Sequence, residues 1–194
     1  MSVNGKHGVT TTTPQNVLLG AGTYHRGMKY ENGTLTPGTI IGATNGGGKI
    51  SIVGEFYDIP VDGALVKVKG LTVKNGGTAT AEVTFAELSI GVMQMATLFE
   101  NAGSSEAGKT VLQDKSSIEE GDYVEGFGFI GKTANGAKDI VIIFENALCT
   151  SGLEIEPKNK EAAVVKLTLE CYANNEGDLD TLPVKIIYPN DSAA

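Results

Sequence analysis

Short apolar runs that alternate with polar residues and end at glycine constrain this chain more than any other feature. From 79 to 85, Ala79, Ala81, Val83 and Phe85 alternate with Thr80, Glu82 and Thr84. Such a period of two is the mark of a strand buried on one face. Strand-like runs recur at residues 123–131, 138–148, 161–172 and 184–188. Glycine supplies the breaks, at 26 of 194 residues, about twice its usual share of roughly 7%. Glycine adopts positive φ without penalty, so this spacing predicts a mainly β domain with many tight turns.

Residues 65–88 read as a hairpin. Val66 and Val68 alternate with Lys67 and Lys69, and the apolar phase changes after Gly70 to Leu71 and Val73. A one-residue change of phase predicts a bulge or bend there. Asn75-Gly76-Gly77 then has the composition of a hairpin turn. Asn45, Gly46 and Gly47 belong to a second glycine run, residues 42–51, which resembles a phosphate-binding loop only at first glance. A P-loop needs G-x-x-x-x-G-K-[ST], but Ala43 stands at its first glycine and Ile50 at its hydroxyl. Residues 49–53 continue as a strand, so the run reads as a turn.

One helix is predicted, over residues 89–102. Ser89 can cap it, Val92, Met95, Ala96, Phe99 and Ala102 recur at helical spacing, and Gly103 suits its end. Residues 16–23 and 24–30 read as two successive strands, with another at 39–43. Residues 1–13 lack apolar periodicity and read as a flexible arm, 14–189 as a single domain, and 190–194 as a flexible end.

Net charge is −8, and Arg26 is the lone arginine beside 14 lysines. A DNA-gripping module neutralises phosphates with clustered Lys and Arg, so this balance argues against one. The longest apolar run, residues 140–144, has the length of a strand rather than a membrane span, and nothing marks the chain for secretion. Cys149 and Cys171 are too few for a disulfide scaffold, and two reduced thiols are expected. His7 and His25 are the only histidines. No CxxC or HxxxH spacing offers a zinc site, and only unsupported proximity would join His25 to Cys171 as a nucleophile pair. Glu119 with Glu120, and Asp178 with Asp180, lack the order of a calcium loop. No catalytic residue, metal or cofactor is expected.

The order of elements carries a further signal. Thr13-Pro14-Gln15-Asn16-Val17-Leu18-Leu19-Gly20-Ala21-Gly22 opens the ordered chain, followed by Ile41-Gly42-Ala43-Thr44 and Asp58-Ile59-Pro60-Val61-Asp62-Gly63-Ala64. Val68-Lys69-Gly70-Leu71, Ala86-Glu87-Leu88 and Leu182-Pro183-Val184-Lys185-Ile186 complete the series. Over about residues 13–189 this order resembles the tail tube protein, or major tail protein, of long non-contractile-tailed bacteriophages. The resemblance implies an antiparallel β-sandwich or barrel of two packed sheets with one flanking helix, and no enzymatic activity. It further implies hexameric rings that stack into a tube around a tape-measure protein. Terminator and tip proteins would close the tube, and duplex DNA would pass through its bore unbound. The setting would be the virion, with assembly in the host cytoplasm and no membrane partner.

In that setting Glu82 and Thr84, outward on their strand, are expected to face the bore, where acidic residues repel DNA. The turns at Asn45, Gly46 and Gly47 and at Asn75, Gly76 and Gly77 are candidates for subunit contacts. The competing expectations are an Ig-like or adhesin-like β-sandwich binding module and a secretion-system tube protein. The latter is usually smaller and lacks the opening signature.

Overall fold

The computed structural model describes residues 8–103, 108–136, 138–157 and 159–189. The fold is mainly β and antiparallel, with few helices. In chain order the elements are α1 (Thr13–Asn16), β1 (Leu18–Arg26), β2 (Lys29–Glu31), β3 (Thr34–Thr36), β4 (Thr39–Ile40), β5 (Thr44–Asp58) and β6 (Thr72–Phe85). There follow α2 (Ile90–Thr97), β7 (Glu100–Asn101), β8 (Leu112–Gln113), a 3-10 turn (Glu120–Asp122), β9 (Val124–Thr133), β10 (Asp139–Cys149), β11 (Val165–Cys171) and β12 (Val184–Ile187). Most of the expected arm, at 1–7, and the expected flexible end, 190–194, lie outside the described residues. His7 lies there too. Within the described part of the arm, Thr10 and Thr13 exchange hydrogen bonds and Pro14 starts the short α1.

One eight-stranded sheet runs β4-β1-β9-β10-β11-β6-β5, with β12 paired to β10 beside it. It curls until its two halves face each other. Tyr24 of β1 and Phe85 of β6 belong to one core, their ring centroids 6.4 Å apart in an edge-on contact. The segment between β4 and β5 bridges the seam: Ile41 N–H donates to the Tyr24 carbonyl at 2.9 Å, and Ala86 N–H donates to the Ala43 carbonyl at 2.8 Å. The two packed layers are thus halves of one continuous sheet. Phe127, Phe129, Phe144, Leu167 and Leu169 fill the space between them, and α2 adds Val92 and Ala96.

Several boundaries differ from the sequence reading. The expected strands at 16–23 and 24–30 are α1, β1 and β2. Gly20 and Gly22, both at positive φ, absorb a register shift between Leu19 and Thr23, so β1 runs on unbroken. The expected turn at Asn45, Gly46 and Gly47 is a bulge inside β5, because Thr44 pairs with Phe85 and Gly48 already with Val83. Gly48 also makes room, since a Cβ there would collide with the Tyr24 hydroxyl. Asn75, Gly76 and Gly77 likewise lie inside β6. Glu55 pairs with Gly76 and Phe56 with Lys74, which leaves Asn75 as the extra residue of a bulge. The true hairpin is β5–β6, and its connection is the long segment 59–71. Glycine conformations that serve a hairpin turn serve a bulge as well, and composition does not separate them.

Helix α2 starts where expected, with Ser89 Oγ accepting from Val92 N–H at 3.3 Å. It ends at Thr97 rather than near 102. Leu98 turns left-handed at φ 58°, Phe99 N–H donates to Thr97 Oγ1, and the chain leaves as β7 to pair with β8. A left-handed leucine costs about 1–3 kcal/mol.

The opposite face of β9 and β10 carries a second, smaller core. Met28, Val141 and Ile143 are buried there, and the β2–β3 hairpin lays Tyr30 and Leu35 over them.

Candidate assembly surface

The outward face of β5, β6 and β11 is a polar grid. Register places Lys49 across from Glu82 on one side and Lys166 across from Thr84 on the other. Lys49 Nζ lies 3.1 Å from one Glu82 oxygen and Lys166 Nζ 3.2 Å from the other. Hydrogen bonds from Lys49 and then Lys166 hold the Glu82 carboxyl below the usual carboxylate range. Glu82 and Thr84 therefore lie on the outward face, as their alternation predicts. Glu82 is not a free negative charge, however: two lysines stand against one carboxylate. Exposed pairs of this kind add little stability and are screened by salt.

Past the core, β5 and β6 continue as an arm. Ile52, Val53, Phe56, Tyr57 and Val73 are exposed along it. Its connection, residues 59–71, adds Ile59, Val61 and Val68, with Val66 78% and Leu65 98% exposed. The arm is internally tied. Lys67 Nζ lies 2.6 Å from Asp58, Thr72 Oγ1 donates to Asp58 at 2.6 Å, and Ile59 N–H donates to the Leu71 carbonyl at 2.8 Å. Lys67 first, and Thr72 after it, hold the Asp58 carboxyl below its ordinary value. The apolar side chains of this ordered connection face outward. Exposed apolar side chains that gather into a patch mark a contact surface, and this hairpin with its connection carries ten of them.

The far edge of β5 is open as well. Among the described residues β5 pairs only with β6, although it is 15 residues long. A long unpaired edge is a template for another strand. Both predicted glycine clusters lie on this hairpin, one bulge at each end of the paired stretch, and bulges bend and twist a strand locally.

Two acidic groupings elsewhere are engaged in local structure. A cleft between α2 and the 3-10 turn is lined by Arg26, Gly91, Glu120, Asp122 and Glu125. Asp122 is already engaged there. It accepts from Glu119 N–H at 2.7 Å and lies 2.7 Å from Lys115 Nζ. Burial alone would raise its pKa, but those two donors hold it below the ordinary value. Asp178 accepts from Asp180 N–H and the Thr181 hydroxyl, which closes a turn. Among the described residues no cluster of His, Cys, Asp and Glu could hold a metal ion. No helix among them is long and apolar enough to cross a membrane.

His25 and Cys171 are not brought together. Cys171 packs against the main core, whereas His25 follows Tyr24 on β1 and so points to the other face of the sheet. Both thiols are free, and burial first, with Glu145 adding to it, pushes Cys171 up to about 11. Native protein at pH 8 is expected to resist alkylation at both Cys149 and Cys171, and denatured protein to label fully. Mass spectrometry after iodoacetamide treatment measures this; rapid native labelling of Cys171 would contradict the burial argument.

The apolar arm itself escaped sequence reading. A signal was present, because residues 52–73 hold more apolar side chains than a turn requires. Their alternation over 66–69 breaks at Gly70, so no single period assigns the whole segment to a face. No protein-family model matches the chain, and no curated protein matches it.

Proposed function

We propose that this chain is a self-assembling structural subunit of the tail tube kind, forming hexameric rings that stack around a tape-measure protein. The observation that carries the reading is the β5–β6 arm, ordered by its own hydrogen bonds yet apolar on its exposed surface. The open edge of β5 supports it. Edges that meet identical edges around a ring lose their exposure, and a ring face that meets a different face on the next ring generates a filament. The arm supplies apolar area for either contact.

In this reading terminator and tip proteins close the tube, within the virion, after assembly in the host cytoplasm. Duplex DNA passes through without specific binding. Glu82 and Thr84 line the bore, where the Lys49–Glu82–Lys166 grid presents charges of both signs. Salt screens them beyond about 8–10 Å, so they act on the duplex only at close approach. Mixed charge lets DNA slide, whereas an unbroken basic wall would trap it through counterion release.

Electron microscopy and sedimentation of the concentrated protein, with and without its tape-measure partner, test the proposal. Rings of six or tubes are the expected result. A species that stays monomeric under both conditions overturns it and favours a β-sandwich binding module.

A further inference from the structure

His25 is a buried histidine that the proposed assembly does not use. It is 7% exposed. Its Nε2 lies 2.9 Å from Thr23 Oγ1, and among the described residues its Nδ1 has no hydrogen-bond partner of good geometry. It sits at the root of the β2–β3 hairpin, a flap that leaves the sheet after Arg26 and returns at Pro37 and Gly38. The flap is clasped by backbone. Gly27 N–H donates to the Glu125 carbonyl at 2.8 Å, and Met28 N–H donates to the Gly126 carbonyl at 2.9 Å. A Cβ at Gly38 would collide with the Arg26 carbonyl, and one at Gly126 with the Met28 backbone. Register holds the returning chain against His25, which is paired with Ile40 of β4 and Gly128 of β9.

We propose that His25 is the pin of a pH-sensitive latch, whose protonation loosens the β2–β3 flap and bares the second core beneath it. A proton on His25 puts a charge in a site that offers little to stabilise it. From β1 itself it meets the Thr23 hydroxyl, and register sets Ile40 of β4 and Gly128 of β9 across from it, with Ile130 across from Thr23. The flap turns Met28, Tyr30 and Leu35 to this face, and β10 contributes Val141 and Ile143. The charges farther along the same strands already have partners or neighbours of opposite sign. Glu145 is bridged to Lys185 at 2.7 Å, and Asp139 stands across from Lys132. Burial accordingly pushes the His25 imidazole below its ordinary value, and the Pro37 carbonyl offsets this only in part. With the folded value below the unfolded one, the site's contribution is complete above about pH 6.5 and declines as pH falls. Opening would expose Met28, Val141 and Ile143, so the latch controls an apolar surface separate from the arm.

Amide hydrogen exchange on the full chain at pH 7.5 and 5.5 tests the latch, with protection factors corrected for intrinsic rates. Most carboxylates stay ionised across that interval. Protection of flap amides 29–36 is expected to fall several-fold at the lower pH while β9 and β10 hold theirs. In His25→Gln, which can keep the bond to Thr23 but does not titrate, flap protection is expected to stay flat. A flap that holds in the unsubstituted protein, or loosens equally in the variant, overturns the proposal. Should His25→Gln fail to fold, NMR titration of the unsubstituted protein decides. Flap amide shifts that follow a His25 midpoint below the ordinary histidine value support the latch; a midpoint at or above that value, or flap amides that ignore it, sink the idea.

Discussion

The double substitution Leu65→Asp/Val66→Asp is expected to abolish ring and tube formation while leaving the subunit folded. Both side chains are exposed on the connection between β5 and β6, so neither contributes to the monomer's core. Surface changes of this kind shift stability by about 0.5 kcal/mol or less. Burial of each side chain in a subunit contact would contribute about 1.5–3 kcal/mol. Losing both removes at least about 3 kcal/mol per contact, which weakens association roughly a hundredfold. Two added carboxylates on a chain already at −8 deepen the loss, because the partner surface would have to desolvate them. Thermal melts compared with sedimentation profiles separate the two effects. Unchanged assembly would remove the arm from the interface; a large fall in melting temperature would show that these residues stabilise the subunit itself.

The core strands were legible because each couples a period of two to burial. Ala79, Ala81, Val83 and Phe85 are all buried, and Thr80, Glu82 and Thr84 all face the other way. Residues 123–131 and 138–148 correspond to β9 and β10, with the Asn135-Gly136 turn between them: Gly136 adopts positive φ and donates to Thr133. What failed was the meaning of glycine. At Asn75-Gly76-Gly77 the sequence offers everything a hairpin turn needs, yet β5 runs alongside and pairs through the site. Only a long-range partner decides between bulge and turn, and local composition holds no record of it. The same limit hid the arm. Val66 and Val68 alternate like a strand, but among the described residues they have no partner strand, and the segment between Asp58 and Thr72 closes on itself instead. Helix α2 was found by its cap and its spacing; its end was set by Leu98, which no helix-stop signal marks.

The site was less legible than the fold. Alternation placed Glu82 and Thr84 outward, but a carboxylate's sign says nothing about its neighbours across the sheet. Lys49 and Lys166 are far from Glu82 in sequence and reach it only through the pairing of β5 and β11 with β6. A face read as repulsive to DNA therefore carries charges of both signs. Net charge predicts the solvation of the whole molecule; the composition of one face depends on register.

Phe85→Ala is expected to be among the most damaging single changes in the subunit, at about 3–5 kcal/mol. Phe85 is fully buried and sits where the curled sheet meets itself, paired with Thr44 of β5 and Val165 of β11 and edge-on to Tyr24 of β1. Removing the ring leaves a cavity at the seam, where both halves are held by hydrogen bonds of the 41–44 segment and relax poorly. Against a total of about 5–15 kcal/mol for a folded domain, the loss removes at least about a fifth of the stability, which urea unfolding measures. Phe56→Ala provides the contrast. Its ring lies on the same β5–β6 hairpin but is 71% exposed, so urea unfolding should shift by about 0.5 kcal/mol or less, while assembly should weaken. In the proposed assembly one hairpin uses two phenylalanines in opposite ways, one to close the subunit and one to meet a neighbour. Equal stability losses in the two variants would erase that division and place the arm within the subunit's own core.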